Sequence, residues 1–154
     1  MTEKKEPRGD LSLRTVAMPA DTARFATPGV NIGLFCSTPM VALSRAVGRK
    51  AALEMLLTGD LVDAARAREL GLVNRVVAVA ELDNAVATLA AQIAAKSPLT
   101  LAIGKEAFYR QAEMNLDDAY AYASGVMVRN MLARDATEGI DAFLTKRPPV
   151  WSGT

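Results

Sequence analysis

Cys36 is the only thiol in the chain, and no histidine stands among its 154 residues to take the thiol's proton. That absence removes the usual neutral-pH proton shuttle, the commonest zinc ligand and any Ser-His-Asp or Cys-His nucleophile system. Acid–base chemistry, if there is any, has to rest on carboxylates, Lys, Tyr or bound water. Without a base partner, Cys36 is expected to be a buried small residue rather than a nucleophile. Glu54, beside Met55 in a helical stretch, reads as a surface charge, and Asp60 as a turn or cap residue. Tyr120 and Tyr122 read as packing or interface residues, and no metal site is expected.

Bulk properties narrow the function classes. Lys and Arg number 18 against 17 Asp and Glu, and aromatics make up 5% of the chain. A nucleic-acid module shows a basic surplus with interleaved aromatics, so no nucleic-acid partner is expected. Every apolar run is broken by a charge before it could span a bilayer, so no membrane partner is expected either. A single cysteine excludes an internal disulfide and agrees with a reducing, cytoplasmic setting.

The elements that must position these residues can be read in order. Residues 1–19 read as a flexible N-terminal tail, with a possible short strand over Arg14–Met18 and a turn at Asp21-Thr22. Pro28-Gly29 is a turn signal, and Thr38 is expected to cap a helix with Pro39 at its first position, ending at Gly48. A second helix runs from about Arg49 to Leu57, with Leu53, Leu56 and Leu57 as its apolar stripe and Gly59 as its stop. Then comes the segment TGDLVDAARARELGLVNRVV. Asp63 caps a short alanine-rich helix, Gly71 ends it in the left-handed conformation, and Leu72–Val77 follows as a strand.

Beyond it the pattern is helical. Leu82, Val86, Leu89 and Ile93 recur at spacings of four, three and four, which gives an amphipathic helix over about 80–96. Pro98 starts the next helix, Leu116 to Met131 marks a third, and Asp135 with Glu138 resembles a capping box ahead of the last, which Pro148-Pro149 ends. Few strands followed by a helical array leave little sheet to cover the helices, which favours self-association.

Leu57-Thr58-Gly59-Asp60, Ala64, Ala67 and Gly71-Leu72-Val73-Asn74-Arg75-Val76-Val77 resemble, in order and spacing, a run carried by the crotonase superfamily, the enoyl-CoA hydratase/isomerase family. The resemblance covers roughly residues 20–151 and falls on the second half of that family's fold. It implies an α/β, mostly helical architecture: an incomplete crotonase-like (ClpP/crotonase) ββα spiral over 20–79, followed by a helical oligomerisation region over 80–154. The substrate class it implies is acyl-CoA thioesters, with coenzyme A arriving as part of the substrate and no separate cofactor. It also implies a homo-oligomer, a trimer or hexamer.

The same resemblance implies which sites are present. The family's oxyanion hole is made by two backbone N–H groups from the preceding half, and neither motif occurs in residues 1–24. Its second hydratase glutamate falls where Phe25-Ala26-Thr27-Pro28-Gly29 ends, so Gly29 occupies the carboxylate position. Gly33, Leu34 and Phe35 would line an acyl pocket. Phe143 and Lys146, three positions apart on the last helix with Arg147 beside them, would reach the CoA bound by a neighbouring protomer: the cations its phosphates, the ring its adenine. Two readings stay open: a family enzyme that is not hydratase-active alone, and a non-catalytic oligomerisation or acyl-CoA-binding module.

Overall fold

The computed structural model describes residues 16–154, so most of the expected tail lies outside the described residues. The chain divides into two compact units, Met1–Ala87 and Thr88–Thr154.

The first unit is organised by a small apolar core. Helix α1 (Ser37–Ala46) packs on α2 (Arg49–Thr58), and Leu43, Val47, Ala52, Met55 and Leu56 meet between them. The buried stripe of α2 is therefore Ala52-Met55-Leu56, while Leu53 and Leu57 stand 52% and 63% exposed. The expected stripe was right at Leu56 and one helical step off on either side. Helix α1 starts at Ser37 with Cys36 at the cap and no side-chain cap bond, so Thr38 lies inside the first turn. Gly59 ends α2 at φ +68, its N–H reaching the Met55 carbonyl, which is the left-handed stop expected of a glycine.

Strand pairing is minimal. Strand β1 (Arg24–Phe25) runs antiparallel to β2 (Val62–Asp63), Arg24 facing Asp63 and Phe25 facing Val62. Asp63 ends β2 and at once caps α3 (Ala64–Glu69), accepting the Arg66 N–H at 2.8 Å. Ala64 and Ala67 are fully buried, so the small side chains let α3 lie close against its neighbours. Leu72–Val77 forms no strand; its one sheet-like contact is the isolated parallel bridge between Ala20 and Val77. The partner segment explains why. Asn74 binds Ala17 twice, accepting the Ala17 N–H through Oδ1 at 2.8 Å and donating its own N–H to the Ala17 carbonyl at 2.9 Å. Val77 donates to the Pro19 carbonyl at 3.3 Å and accepts the Asp21 N–H at 2.8 Å, but Pro19 has no N–H with which to extend the bridge, so no ladder builds. Residues 16–19 are thus held against 74–77, and Val16–Met18 is no strand.

Past a short 3₁₀ turn (Val79–Glu81), α4 (Leu82–Ala94) carries the chain into the second unit. There α5 (Pro98–Gln111) packs on α6 (Leu116–Met131), which also meets α7 (Arg134–Leu144). Ser97 caps α5 and Asn115 caps α6, each accepting a backbone N–H of the first turn. None of α4, α5 or α6 buries a single residue. Their apolar stripes form as the spacing implies and are only partly covered: Leu82, Leu89, Ile103 and Val126 are half-buried, while Leu116, Tyr120 and Met127 on α6 and Leu132 at its C-cap are 61% exposed or more. No single described helix is long and apolar enough to cross a membrane.

Candidate functional site

The residues expected at the acyl pocket and at CoA fall in two places, the loop before α1 and the end of α7. In the loop, Pro28 starts a 3₁₀ turn (Pro28–Ile32), and the buried Thr27 hydroxyl donates to the Met55 carbonyl at 2.8 Å, tying the turn to α2. Gly29 sits inside this turn with its N–H on the Cys36 thiol at 3.3 Å and its carbonyl accepting the Leu34 N–H at 2.9 Å. A Cβ placed on Gly29 would stand 2.6 Å from the Leu34 carbonyl oxygen and 2.8 Å from Cys36 Sγ. Position 29 has room for hydrogen only, because one obstacle is backbone and cannot swing aside. Cys36 is half-buried and packs against the core, close to the buried small residue expected of it. Gly33, Leu34 and Phe35 lie on the outer side of the loop, Leu34 63% exposed and Phe35 43%.

Glu54 and Asp60 line one open hollow of about 270 Å³ together with Asp63 and Arg66. Asp63 is committed to its cap, and Arg66 pairs with Glu69 at 2.9 Å. Tyr120 stands exposed on α6, and Tyr122 lies under the Arg110 guanidinium at 5.2 Å. Among the described residues no group of three or more carboxylates and thiols could hold a metal ion.

The end of α7 carries a network of charged side chains. Arg147 grips Glu138 with both guanidinium nitrogens, at 2.6 and 3.0 Å, and reaches Asp141 at 2.5 Å. Glu138 also accepts the Val150 N–H at 2.7 Å. These donors hold the Glu138 carboxyl at about 2, well below its ordinary value of 4.5, with the Arg147 bonds contributing most. The two carboxylates push the Arg147 guanidinium further up in return. Lys146 lies inside this clamp at φ +54, the only described non-glycine residue in the left-handed region. Its N–H reaches the Phe143 carbonyl at 3.3 Å, and the Arg147 N–H reaches that of Ala142 at 3.0 Å. Phe143 is 82% exposed, and the Lys146 ammonium has no ion-pair partner among the described residues. Of the three residues expected at a CoA contact, Phe143 and Lys146 face outward, and Arg147 is engaged within the chain.

One polar hub escaped the sequence reading. Asp135 is not the cap of α7; Ala133 holds that place without a side-chain bond, and Asp135 lies in the first turn, 2% exposed. It accepts the Ser97 hydroxyl at 2.6 Å, the Ser152 N–H at 2.7 Å and hydroxyl at 2.8 Å, and the Gly153 N–H at 3.1 Å. Led by the Ser97 bond, these donors outweigh burial and hold its carboxyl at about 2. Trp151 anchors the same tail by donating to the Ala95 carbonyl at 2.8 Å. The capping-box pattern marks Asp135 but not its partners, which come from 38 and 17 positions away.

The Enoyl-CoA hydratase/isomerase family model matches residues 14–154. The chain belongs to the enoyl-CoA hydratase/isomerase family. Human enoyl-CoA hydratase domain-containing protein 3, mitochondrial, is 51% identical over 137 residues, 89% of this chain and 45% of the human protein. Carnitinyl-CoA dehydratase of Escherichia coli is 36% identical over 87% of this chain and 53% of its own length. Among solved structures, an enoyl-CoA hydratase of Mycobacterium smegmatis superposes with a TM-score of 0.89 at 51% identity, covering 92% of this chain and 55% of that one. The chain thus spans about half the length of the family relatives it matches, and the fold is a partial crotonase fold, mostly helical.

Proposed function

We propose that this chain is an acyl-CoA-binding part of an enoyl-CoA hydratase/isomerase-type protein and does not hydrate enoyl-CoA alone. Membership of the family supports the substrate class. The observation that carries the second half is the packing at Gly29, where the Leu34 carbonyl and the Cys36 thiol fill the space a carboxylate-bearing side chain needs. With neither hydratase glutamate and no oxyanion-hole motif in residues 1–24, the thioester enolate lacks its main stabiliser; each missing donor of that kind costs roughly 3–4 kcal/mol of barrier. Phe143 and Lys146 are the residues proposed to meet CoA, the ring at the adenine and the ammonium at a phosphate, with Gly33, Leu34 and Phe35 toward the acyl chain.

Homo-oligomerisation is proposed alongside, because the exposed apolar residues of α4, α5 and α6, Phe108, Leu116, Tyr120 and Met127 among them, favour a second copy of the chain. Incubation of the purified chain with crotonyl-CoA tests the catalytic half. No loss of enoyl absorbance above background is expected; turnover that disappears in Phe143→Ala would contradict it.

A further inference from the structure

The left-handed backbone at Lys146 is a conformation that a glycine would adopt without steric cost and a lysine adopts only when its surroundings enforce it. The enforcing contacts lie on both sides. Ahead of it, Thr145 ties its hydroxyl to the Asp141 carbonyl at 2.7 Å. Behind it, Arg147 is locked by Glu138 and Asp141, and Glu138 also takes the Val150 N–H. Glu138 therefore fastens the chain one residue and four residues after Lys146. We infer that Glu138 and Arg147 are positioning residues, whose ion pair holds the Lys146 corner so that its ammonium is presented to a phosphate group. The inference rests on the acyl-CoA reading and adds to it the means by which the contact is preorganised.

The sign of the charge effect separates positioning from simple electrostatics. Glu138 and Asp141 are anions within the same corner as Lys146, and a nearby anion opposes phosphate binding. If charge alone mattered, Glu138→Gln would tighten CoA binding. If Glu138 acts by holding the corner, the same change loosens it, because the neutral amide no longer pins both guanidinium nitrogens.

The test is calorimetric titration of the full chain with acetyl-CoA for wild type, Lys146→Ala, Glu138→Gln and the double variant, each checked for helix content. Expected is weakening by about tenfold in either single variant, the loss of one charge-assisted contact. The double variant should be no weaker than Lys146→Ala, since the two changes remove one interaction. Unchanged or tighter binding by folded Glu138→Gln, or additive losses, overturns the positioning role while leaving the acyl-CoA reading in place. Unchanged binding by Lys146→Ala overturns that reading and this inference with it. Should Glu138→Gln fail to fold, Asp141→Asn removes the other partner of Arg147 and is expected to weaken binding in the same direction; tighter binding there counts against the inference.

Discussion

The Gly29 N–H donates to the Cys36 thiol at 3.3 Å, and the Leu34 carbonyl closes the remaining space above the same glycine. The loop is built around the absence of a side chain. Gly29→Ala is therefore expected to destabilise the chain by about 1–3 kcal/mol, the usual penalty for forcing atoms into a filled site. Denaturant unfolding checks this against Gly125→Ala, where a Cβ meets open space inside α6 and the expected change is a gain of about 0.5–1 kcal/mol. Cys36→Ala removes one obstacle and leaves the Leu34 carbonyl, so the double variant Gly29→Ala, Cys36→Ala should recover only part of the loss.

Leu56 is 1% exposed between α1 and α2, in the cluster that carries the loop through Thr27. Leu56→Ala should cost about 2–5 kcal/mol by urea denaturation, as a cavity left in a packed core does. Leu57→Ala, next in sequence but 63% exposed, should change stability by less than about 0.5 kcal/mol.

Asp135 and Glu138 give acid sensitivity with a defined sign. Both carboxyls are held at about 2, below their ordinary 3.8 and 4.5, so the folded chain binds protons less readily than the unfolded one. Their stabilisation is complete above the ordinary values and is lost as pH falls from there toward 2. Thermal melts between pH 5 and pH 2 should show a falling Tm whose slope is reduced in Asp135→Asn. A slope identical to wild type would show that Asp135 does not carry the effect.

The solvent-facing residues at the C-terminal end of α6 make self-association a measurable expectation. Met127 and Leu132 are 61% and 82% exposed. Sedimentation at micromolar concentration should show an oligomer for wild type and a shift toward monomer for Met127→Glu, Leu132→Glu. A wild-type monomer contradicts the proposal.

Local chemistry made much of this fold readable from the chain. The stops at Gly59 and Gly71, the cap at Asp63 and the four helices after residue 80 follow from backbone conformation, capping and periodicity, all of which act within a few residues. What escaped depended on distant partners. Leu72–Val77 has the β-branched residues of a strand, but its neighbour supplies a proline where a ladder needs an N–H. Asp135 has the spacing of a cap, yet its side chain serves a tail 17 residues away. At the end of α7, Phe143 and Lys146 were marked only by the family resemblance, whereas the commitment of Arg147 to Glu138 joins residues nine apart around a corner and left no periodic trace. The closure over Gly29 was equally invisible, since a glycine in a sequence does not say what occupies its empty side.

The chain is proposed to take up acyl-CoA through the end of α7 without hydrating it. Calorimetric titration with acetyl-CoA, for wild type and for Phe143→Ala, tests it most directly. Saturable binding by wild type that weakens by about tenfold or more in the variant, as loss of a stacked ring entails, is the predicted result. No heat of binding by wild type, or equal affinity in the two, would contradict it.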